Sequence, residues 1–171
     1  MTSEFVELPK LGWREWLALP GLNIPGIKAK IDTGARTSAL HAFYIDPYKK
    51  GKDHWIMFNI HPDQNRIDTV IECHAQVKDL RMVTDSGGHK SRRYVIETEL
   101  LLGTSLITAE LTLTNRDNMK FRMLLGRTAM RGQFIIDPGA SYLQGKPDRK
   151  TFETAKNSTS VQSNLNNYEK E

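Results

Sequence analysis

The feature that most constrains the fold is a series of short runs in which apolar and polar residues alternate. Ile27–Ile31 alternates strictly, and Trp55–Ile60 and Leu106–Thr114 show the same period of two residues. Such a period is typical of β-strands that bury one face. Turn-forming residues separate the runs at regular intervals, and about ten short strands are predicted. The sequence therefore predicts an all-β protein, either a closed barrel or a sandwich.

Turn signals divide the chain into these strands. Pro20-Gly21 ends the first strand, Asp46-Pro47 is predicted to end the third, and residues 49–53 are predicted to form a loop. Gly87-Gly88 is predicted to be the tip of a hairpin. Arg127–Arg131 is the one segment that resembles a helical turn. The predicted strands span residues 11–19, 27–31, 37–44, 55–60, 68–83 (one long strand or a bent pair), 92–102, 106–114, 123–126 and 134–136.

Length and charge limit the domain organisation and the partners. The 171 residues suffice for one domain with a full core, which we assign to residues 1–145. Residues 146–171 are polar, and we expect them to be a disordered tail in which nothing packs. The net charge of +4 favours an acidic partner, which could be a peptide, a nucleic acid or an anionic surface. Nucleic acid is the minor alternative, because the basic residues are scattered and form no recognised motif.

Cysteine content and hydropathy indicate the compartment. Cys73 is the only cysteine, which excludes an internal disulfide and a cysteine-based zinc site. The acidic N-terminal residues Met1–Glu7 lack the apolar core of a signal peptide. No stretch approaches the length of a membrane span. We therefore expect a soluble cytoplasmic protein that has no membrane partner.

An aspartate follows the strictly alternating strand, in the sequence Asp32-Thr33-Gly34. The carboxylate precedes a hydroxyl that can hold it and a glycine that lets a backbone approach closely. One carboxylate cannot both activate a water and protonate a leaving nitrogen, whereas two that share a proton can. The chain has no room for a second lobe, so a two-fold homodimer would bring two copies of Asp32 together. A plain turn is the alternative, since these residue types are common in turns.

Residues 31–35 resemble the active-site signature of retropepsin-like aspartic proteases. By this resemblance, residues 85–88 lie where that fold has its flap, and residues 124–127 resemble the element that supports the catalytic loop. The chain is still more similar to a bacterial group of this fold that is labelled ATP-dependent zinc protease. That resemblance covers residues 11–143 and implies a closed retropepsin-like barrel with one short helix. Its hallmark stretches are residues 12–16, 27–42, 93–96 and 125–130.

The resemblance implies a homodimeric aspartic endopeptidase with Asp32 as the catalytic acid. Thr33 would brace the loop across the dimer interface, and Gly34 would let the backbone of the substrate come close. The flap would cover the attacking water. The residues expected at the substrate are Ala35, Arg36, Ser86, Gly87, Gly88 and Arg127.

The zinc and the ATP in the label of the bacterial group have no counterpart in the sequence. A metalloprotease needs closely spaced ligands, such as His-Glu-x-x-His on a helix. The histidines here are scattered, and no Walker-type glycine loop is present. We therefore expect no metal and no other cofactor. The histidines are His41, His54, His61, His74 and His89.

Basic residues surround the predicted site. Arg36 directly follows the turn, Arg127 follows the supporting glycine, and Lys28 and Lys30 alternate on the strand before Asp32. Arginine suits carboxylate-rich substrates through paired hydrogen bonds, although the lysines are equally explained as a solvated face. The resembling family is also associated with ATP-grasp ligases that add glutamates to proteins. An acidic, glutamate-rich peptide is therefore the expected substrate.

Two other functions stay open at this point. One is a barrel that has the Asp-Thr-Gly signature but does not cleave peptides, and that recognises an acidic chain or a partner ligase. Such a barrel would fail to bind a statine-like inhibitor. A metal-dependent hydrolase is the third possibility, which a metal assay on protein purified without a tag would test.

Overall fold

The computed structural model describes residues 6–85, 87–115 and 120–168, which hold twelve strands, a 3-10 turn and two helices. The strands are β1 (Lys10–Leu11), β2 (Arg14–Leu19), β3 (Ile24–Asp32), β4 (Ser38–His41), β5 (Phe43–Lys50), β6 (Asp53–Ile60), β7 (Ile71–Gln76), β8 (Asp79–Thr84), β9 (Lys90–Leu102), β10 (Ser105–Thr114), β11 (Met123–Gly126) and β12 (Ile135–Ile136). The helices are α1 (Arg127–Met130) and α2 (Arg149–Tyr168), and the 3-10 turn spans Pro20–Leu22.

Within the described residues, six of the strands close into a barrel. Their order is β10-β4-β11-β3-β2-β9, and β9 pairs back with β10 to complete the ring. On β3, Ile27, Ala29 and Ile31 are buried, whereas Lys28 and Lys30 face outward, as the alternation predicts. The closed all-β fold is therefore confirmed.

The remaining strands attach to this barrel. Strand β8 pairs with β9 as a hairpin, strands β5, β6 and β7 form a separate antiparallel sheet, and β1 pairs in parallel with β12. The predicted strand at residues 68–83 is a bent pair, because β7 belongs to the separate sheet and β8 to the hairpin. The hairpin is the part of the barrel sheet that bears on the site described below.

Strand β5 is longer than the sequence predicts. The sequence predicts that the strand ends at Asp46-Pro47 and that residues 49–53 form a loop. In the structure, β5 instead continues through Asp46-Pro47 to Lys50. The proline is tolerated because β5 is an edge strand of its sheet, so one side of its backbone needs no pairing N–H. Gly51, with a φ of +63°, then turns the chain into β6.

The C-terminal residues differ from the predicted disordered tail. Arg149–Tyr168 forms helix α2, a second helix beside the one that the sequence predicts. Asp148 begins it, because its Oδ1 accepts a hydrogen bond from the backbone N–H of Thr151 at 2.7 Å. This bond is the largest of the effects that lower the pKa of Asp148.

The first turns of α2 pack against the barrel. Phe152 and Ala155 are 5% and 8% exposed, and they form a small apolar cluster with Ala18 on β2 and Leu101 on β9. An aromatic side chain buried in this way stabilises a segment whose average composition is polar. The division of the chain at residue 145 stays a prediction.

Candidate active site

Asp32 is the last residue of β3, and its side chain is half-buried. Its Oδ1 accepts hydrogen bonds from the backbone N–H of Gly34 at 2.9 Å and of Ala35 at 3.2 Å. The N–H of Ala35 also lies 3.3 Å from the carbonyl oxygen of Asp32. This is an aspartate turn that fixes one carboxylate oxygen. Within the described residues, no hydrogen bond reaches the other carboxylate oxygen, Oδ2.

Gly126 ends the neighbouring strand β11 and lies in register with Asp32 in the parallel β11–β3 pairing. Its backbone N–H donates to the hydroxyl oxygen of Ser38 at 2.9 Å. A Cβ atom at position 126 would lie only 2.6 Å from the carbonyl carbon of Thr37. The glycine of the predicted supporting element therefore has a steric reason, since any side chain would collide with the backbone.

Helix α1 fastens the loop that follows Asp32. The backbone N–H of Arg127 donates to the carbonyl oxygen of Ala35 at 2.7 Å, and its Nη1 donates to that of Thr33 at 3.2 Å. The hydroxyl of Thr128 donates to the carbonyl oxygen of Arg36 at 2.8 Å. Arg127, which the sequence places at the substrate, thus also supports the turn. The side chains of Thr33 and Arg36 are exposed.

The hairpin tip lies between β8 and β9, where the sequence predicts it. Asp85 Oδ1 accepts hydrogen bonds from the N–H groups of Gly87 and His89, both at 2.9 Å. Gly88 has a φ of +82°, a conformation that favours glycine. Both glycines are exposed. Ser86, the third residue predicted at this tip, lies outside the described residues.

A cavity of about 1010 Å³ lies between the hairpin and the barrel wall formed by β4 and β10. Ala35 and Arg36 line it, whereas Asp32–Gly34 and Arg127 are not among the described residues of its lining. The structure thus brings the end of the predicted catalytic turn, but not the acid itself, to the wall of the cavity. From the hairpin, the lining residues are Arg81, Met82, Val83, Thr84, Arg93 and Glu97.

An ion-pair network that sequence reasoning missed joins the hairpin to the wall of this cavity. Arg81 donates from Nη1 to Glu110 at 2.8 Å and from Nε to Asp79 at 2.7 Å. Lys78 lies 3.1 Å from Glu110 and also pairs with Glu97. The hydrogen bond from Arg81, and then that from Lys78, lowers the pKa of the Glu110 carboxyl. No local motif could have revealed the pairs with Glu110, because Lys78 and Arg81 lie about thirty residues before it in the sequence.

Three further features of the described residues concern the predicted chemistry and location. These residues contain no group of three or more His, Cys, Asp or Glu side chains that could hold a metal ion. Burial raises the pKa of the Cys73 thiol to about 12, so this thiol is uncharged near neutral pH. Neither of the described helices is long and apolar enough to span a membrane. The cytoplasmic location stays a prediction.

A closed barrel that presents an Asp-Thr-Gly turn beside a glycine and a short supporting helix defines a retropepsin-like protein. A family model described as "RimB-like: Retropepsin-like aspartic endopeptidase RimB" matches residues 10–147. The chain belongs to this RimB-like family. The resemblance to retropepsin-like proteins that the sequence motifs indicate is thereby confirmed.

Curated relatives carry a different name. A protein named "Probable alpha-L-glutamate ligase" from Shewanella pealeana is 44% identical over 136 residues, which are 80% of this chain and 30% of the relative. One of the same name from Parasynechococcus marenigrum is 47% identical over 135 residues, or 79% of this chain and 29% of the relative. The chain thus spans about three tenths of the length of the curated relatives that it matches.

A solved structure supports the fold. The crystal structure of a Legionella pneumophila protein of unknown function matches with a TM-score of 0.66 at 24% sequence identity. The match covers 80% of this chain and 98% of that chain. At this level of identity, the likeness concerns the fold alone.

Proposed function

We propose that the chain is one half of a homodimeric aspartic peptidase. The observation that carries the proposal is the Asp32 carboxylate, which two backbone N–H groups hold through one oxygen at the end of a barrel strand. The loop behind it is fastened to α1 through Arg127 and Thr128, which fixes the orientation of the acid. Asp-Thr-Gly occurs once in the sequence, so a two-fold partner would supply the second carboxylate.

The proposed reaction uses both copies of Asp32 and one water. The two carboxyls share a proton, and the ionised one takes a proton from the water as its oxygen attacks the peptide carbonyl carbon. The protonated one gives its proton to the carbonyl oxygen, which produces a tetrahedral diol. Collapse of the diol breaks the C–N bond as the proton taken from the water passes to the leaving nitrogen. One diol hydroxyl gives its proton to the other carboxylate as the new C=O bond forms, so the pair again shares one proton. Thr33 would brace the turn in the dimer, and Gly34 would admit the substrate backbone.

The proposed substrate is an acidic, glutamate-rich peptide. The cavity that Ala35 and Arg36 line is large enough for several side chains. We propose that the hairpin tip at Gly87 and Gly88 closes over it, as the predicted flap would. The exposed Arg36 side chain has no carboxylate partner in the described part of the chain. It is therefore the group best placed to receive a substrate carboxylate. The glutamate-ligase names of the relatives are consistent with this substrate class.

Cleavage of matched peptides with and without glutamate runs tests this function. We expect the wild-type protein to cut the glutamate-containing peptides faster, and we expect Asp32→Asn to abolish cleavage. Asp46→Asn, which makes the same chemical change at an exposed aspartate on β5, is the matched control and should leave the rate unchanged. Full activity in Asp32→Asn would refute the peptidase, and equal rates on the two peptide sets would refute the acidic preference.

A binding module without cleavage is the second candidate. The observation that favours it is that the chain matches only 30% of the length of the first ligase-named relative. A domain of that size could bind an acidic chain while the rest of the protein acts on it. A statine-like inhibitor mimics the tetrahedral diol and distinguishes the two candidates. We expect it to bind wild-type protein if the chain is a peptidase, and not to bind if the barrel only recognises peptides.

A further inference from the structure

Away from the cavity, basic side chains lie against aromatic rings on the outer face of β2 and β3. We name this group the cation–aromatic ladder. Its members are Trp13, Arg14, Trp16, Lys28, Tyr142 and Lys146.

One half of the ladder is centred on Arg14. Its Cζ atom lies 4.6 Å from the ring centroid of Trp13 and 5.0 Å from that of Tyr142. The Nζ atom of Lys28 approaches the same Tyr142 ring at 5.7 Å. These are distances at which a cation is attracted to an aromatic face. Tyr142 therefore connects the two basic residues.

The other half is centred on Trp16. The Nζ atom of Lys28 lies 5.1 Å from its ring centroid, and that of Lys146 lies 4.8 Å away. Lys28 is the direct partner of Trp16 in the β2–β3 pairing. Gly26 makes room for Lys146, because a Cβ atom at position 26 would lie 2.6 Å from the Cε atom of that lysine. The position of Lys146 thus depends on a glycine as well as on the ring.

The acidic residue of β2 does not neutralise the ladder. Glu15 is fully buried, and its carboxylate accepts hydrogen bonds from the backbone N–H groups of Gly12 at 2.8 Å, Leu143 at 3.0 Å and Gln144 at 2.9 Å. These bonds hold the segment that carries Tyr142 against β2. Glu15 therefore positions the ladder from the interior.

The cations of the ladder have no carboxylate partner in the described part of the chain. Arg14 donates from Nε to the neutral hydroxyl of Ser141 at 3.1 Å. Arg81 and Lys78, in contrast, are already paired with glutamates. The rings restrict the motion of the cations in the ladder, so binding an anion costs less side-chain entropy than it would at a free lysine.

We propose that the cation–aromatic ladder is a docking surface for an acidic protein segment. Each cation keeps N–H donors for carboxylates while a ring covers one of its sides. Nucleic acid fits this surface less well, because ring faces that would stack on bases are already covered by the chain's own cations. No member of the ladder lines the cavity beside Ala35, so docking does not require Asp32.

Titration of the Asp32→Asn protein with an oligoglutamate of about ten residues tests the proposal without interference from cleavage. We expect the double variant Lys28→Gln/Lys146→Gln in this background to bind about fivefold more weakly, or worse. Lys50→Gln is the matched control, since it removes a lysine that lies 4.7 Å from the ring of Trp55 on another sheet. It should leave the affinity unchanged. A smaller loss in the double variant, or an equal loss in the control, would overturn the proposal.

Two further measurements test the geometry and the class of partner. Gly26→Ala keeps every charge but displaces Lys146 from Trp16, and we expect it to weaken binding about twofold. Unchanged affinity would count against the fixed arrangement. A single-stranded RNA with as many charges as the peptide should bind more weakly than the peptide does. Tighter binding of the RNA would overturn the assignment to an acidic protein segment.

Discussion

The Nη1 atom of Arg127 donates a hydrogen bond to the carbonyl oxygen of Thr33 at 3.2 Å, so the first residue of α1 holds the middle of the Asp-Thr-Gly turn. The backbone N–H of the same arginine binds the carbonyl oxygen of Ala35. The sequence predicts Arg127 at the substrate, and these contacts indicate in addition a positioning role for the turn. The two roles predict different kinetic losses on mutation.

Arg127→Ala should therefore lower kcat about tenfold on acidic and neutral peptides alike, because the turn that carries Asp32 loses a fixed contact. Arg127→Lys keeps the charge but not the planar fork, and it should lose almost as much. Arg131→Ala, at an exposed arginine just beyond α1, is the control and should have no effect. A loss confined to the KM of acidic peptides, with rescue by lysine, would contradict the positioning role.

Glu15→Ala should destabilise the fold strongly. The buried carboxylate accepts three backbone N–H groups, from Gly12, Leu143 and Gln144, and each would lose its acceptor at a cost of about 1 kcal/mol. We expect the free energy of unfolding, measured in urea, to fall by about 3 kcal/mol. The exposed Glu7→Ala should change it by less than about 0.5 kcal/mol. An equally small change in Glu15→Ala would show that these bonds do not hold the two segments together.

Gly126→Ala should affect stability and activity together. The new Cβ would lie 2.6 Å from the backbone carbonyl carbon of Thr37, so the strand in register with Asp32 would have to shift. Overpacking of this kind typically costs about 1–3 kcal/mol. At Gly139 the nearest atom lies 3.5 Å away, and Gly139→Ala is the matched control in urea unfolding and peptide cleavage. Wild-type behaviour of Gly126→Ala would contradict the close approach.

The ion pairs of Glu110 predict a dependence of stability on pH. Arg81 and Lys78 lower the pKa of this carboxyl in the folded state. Such a group stabilises the fold above its unfolded-state pKa, and the contribution disappears as the pH falls through the lowered folded-state value. Glu110→Gln should thus lower the Tm by about 2 °C near neutral pH and have little effect well below both pKa values. Thermal unfolding followed by circular dichroism measures the Tm of the two proteins at each pH. A Tm difference of the same size at both pH values would contradict the ion-pair contribution.

The barrel could be predicted because each of its strands is indicated by a pattern of residues that are close in sequence. The burial of Ile27, Ala29 and Ile31 follows from alternation with their immediate neighbours, and the tip at Gly87-Gly88 follows from turn chemistry. The hydrogen bonds of the Asp32 carboxylate are equally local, since the backbone N–H groups of Gly34 and Ala35 donate them. Such features need no knowledge of which strands become neighbours.

Contacts between distant residues could not be predicted in the same way. The pairs of Glu110 with Arg81 and Lys78 depend on where the β8–β9 hairpin meets β10. In the ladder, Tyr142 meets Arg14 only because the segment after β12 returns to β2. In each case the residues form no recognisable motif in the sequence, and only the fold brings them into contact.

Helix α2 is a case in which the average composition of a segment predicts the wrong structure. The polar composition of residues 146–171 predicts disorder, yet one cap at Asp148 and one buried aromatic at Phe152 accompany a helix that packs on Leu101. Asp148, directly before Arg149, is a residue type that commonly caps the start of a helix. The packing partner lies on β9, so the gain from burial could not be anticipated from the tail alone.

In the proposed homodimer each active site combines two copies of Asp32, and mixing wild-type protein with Asp32→Asn tests this arrangement. The chains are allowed to exchange at constant total concentration, and peptide cleavage is measured against the wild-type fraction. If a site needs one intact acid from each chain, activity falls as the square of that fraction, to about one quarter in an equal mixture. A linear fall, to about one half in an equal mixture, would show that one chain is sufficient and would rule out a shared site.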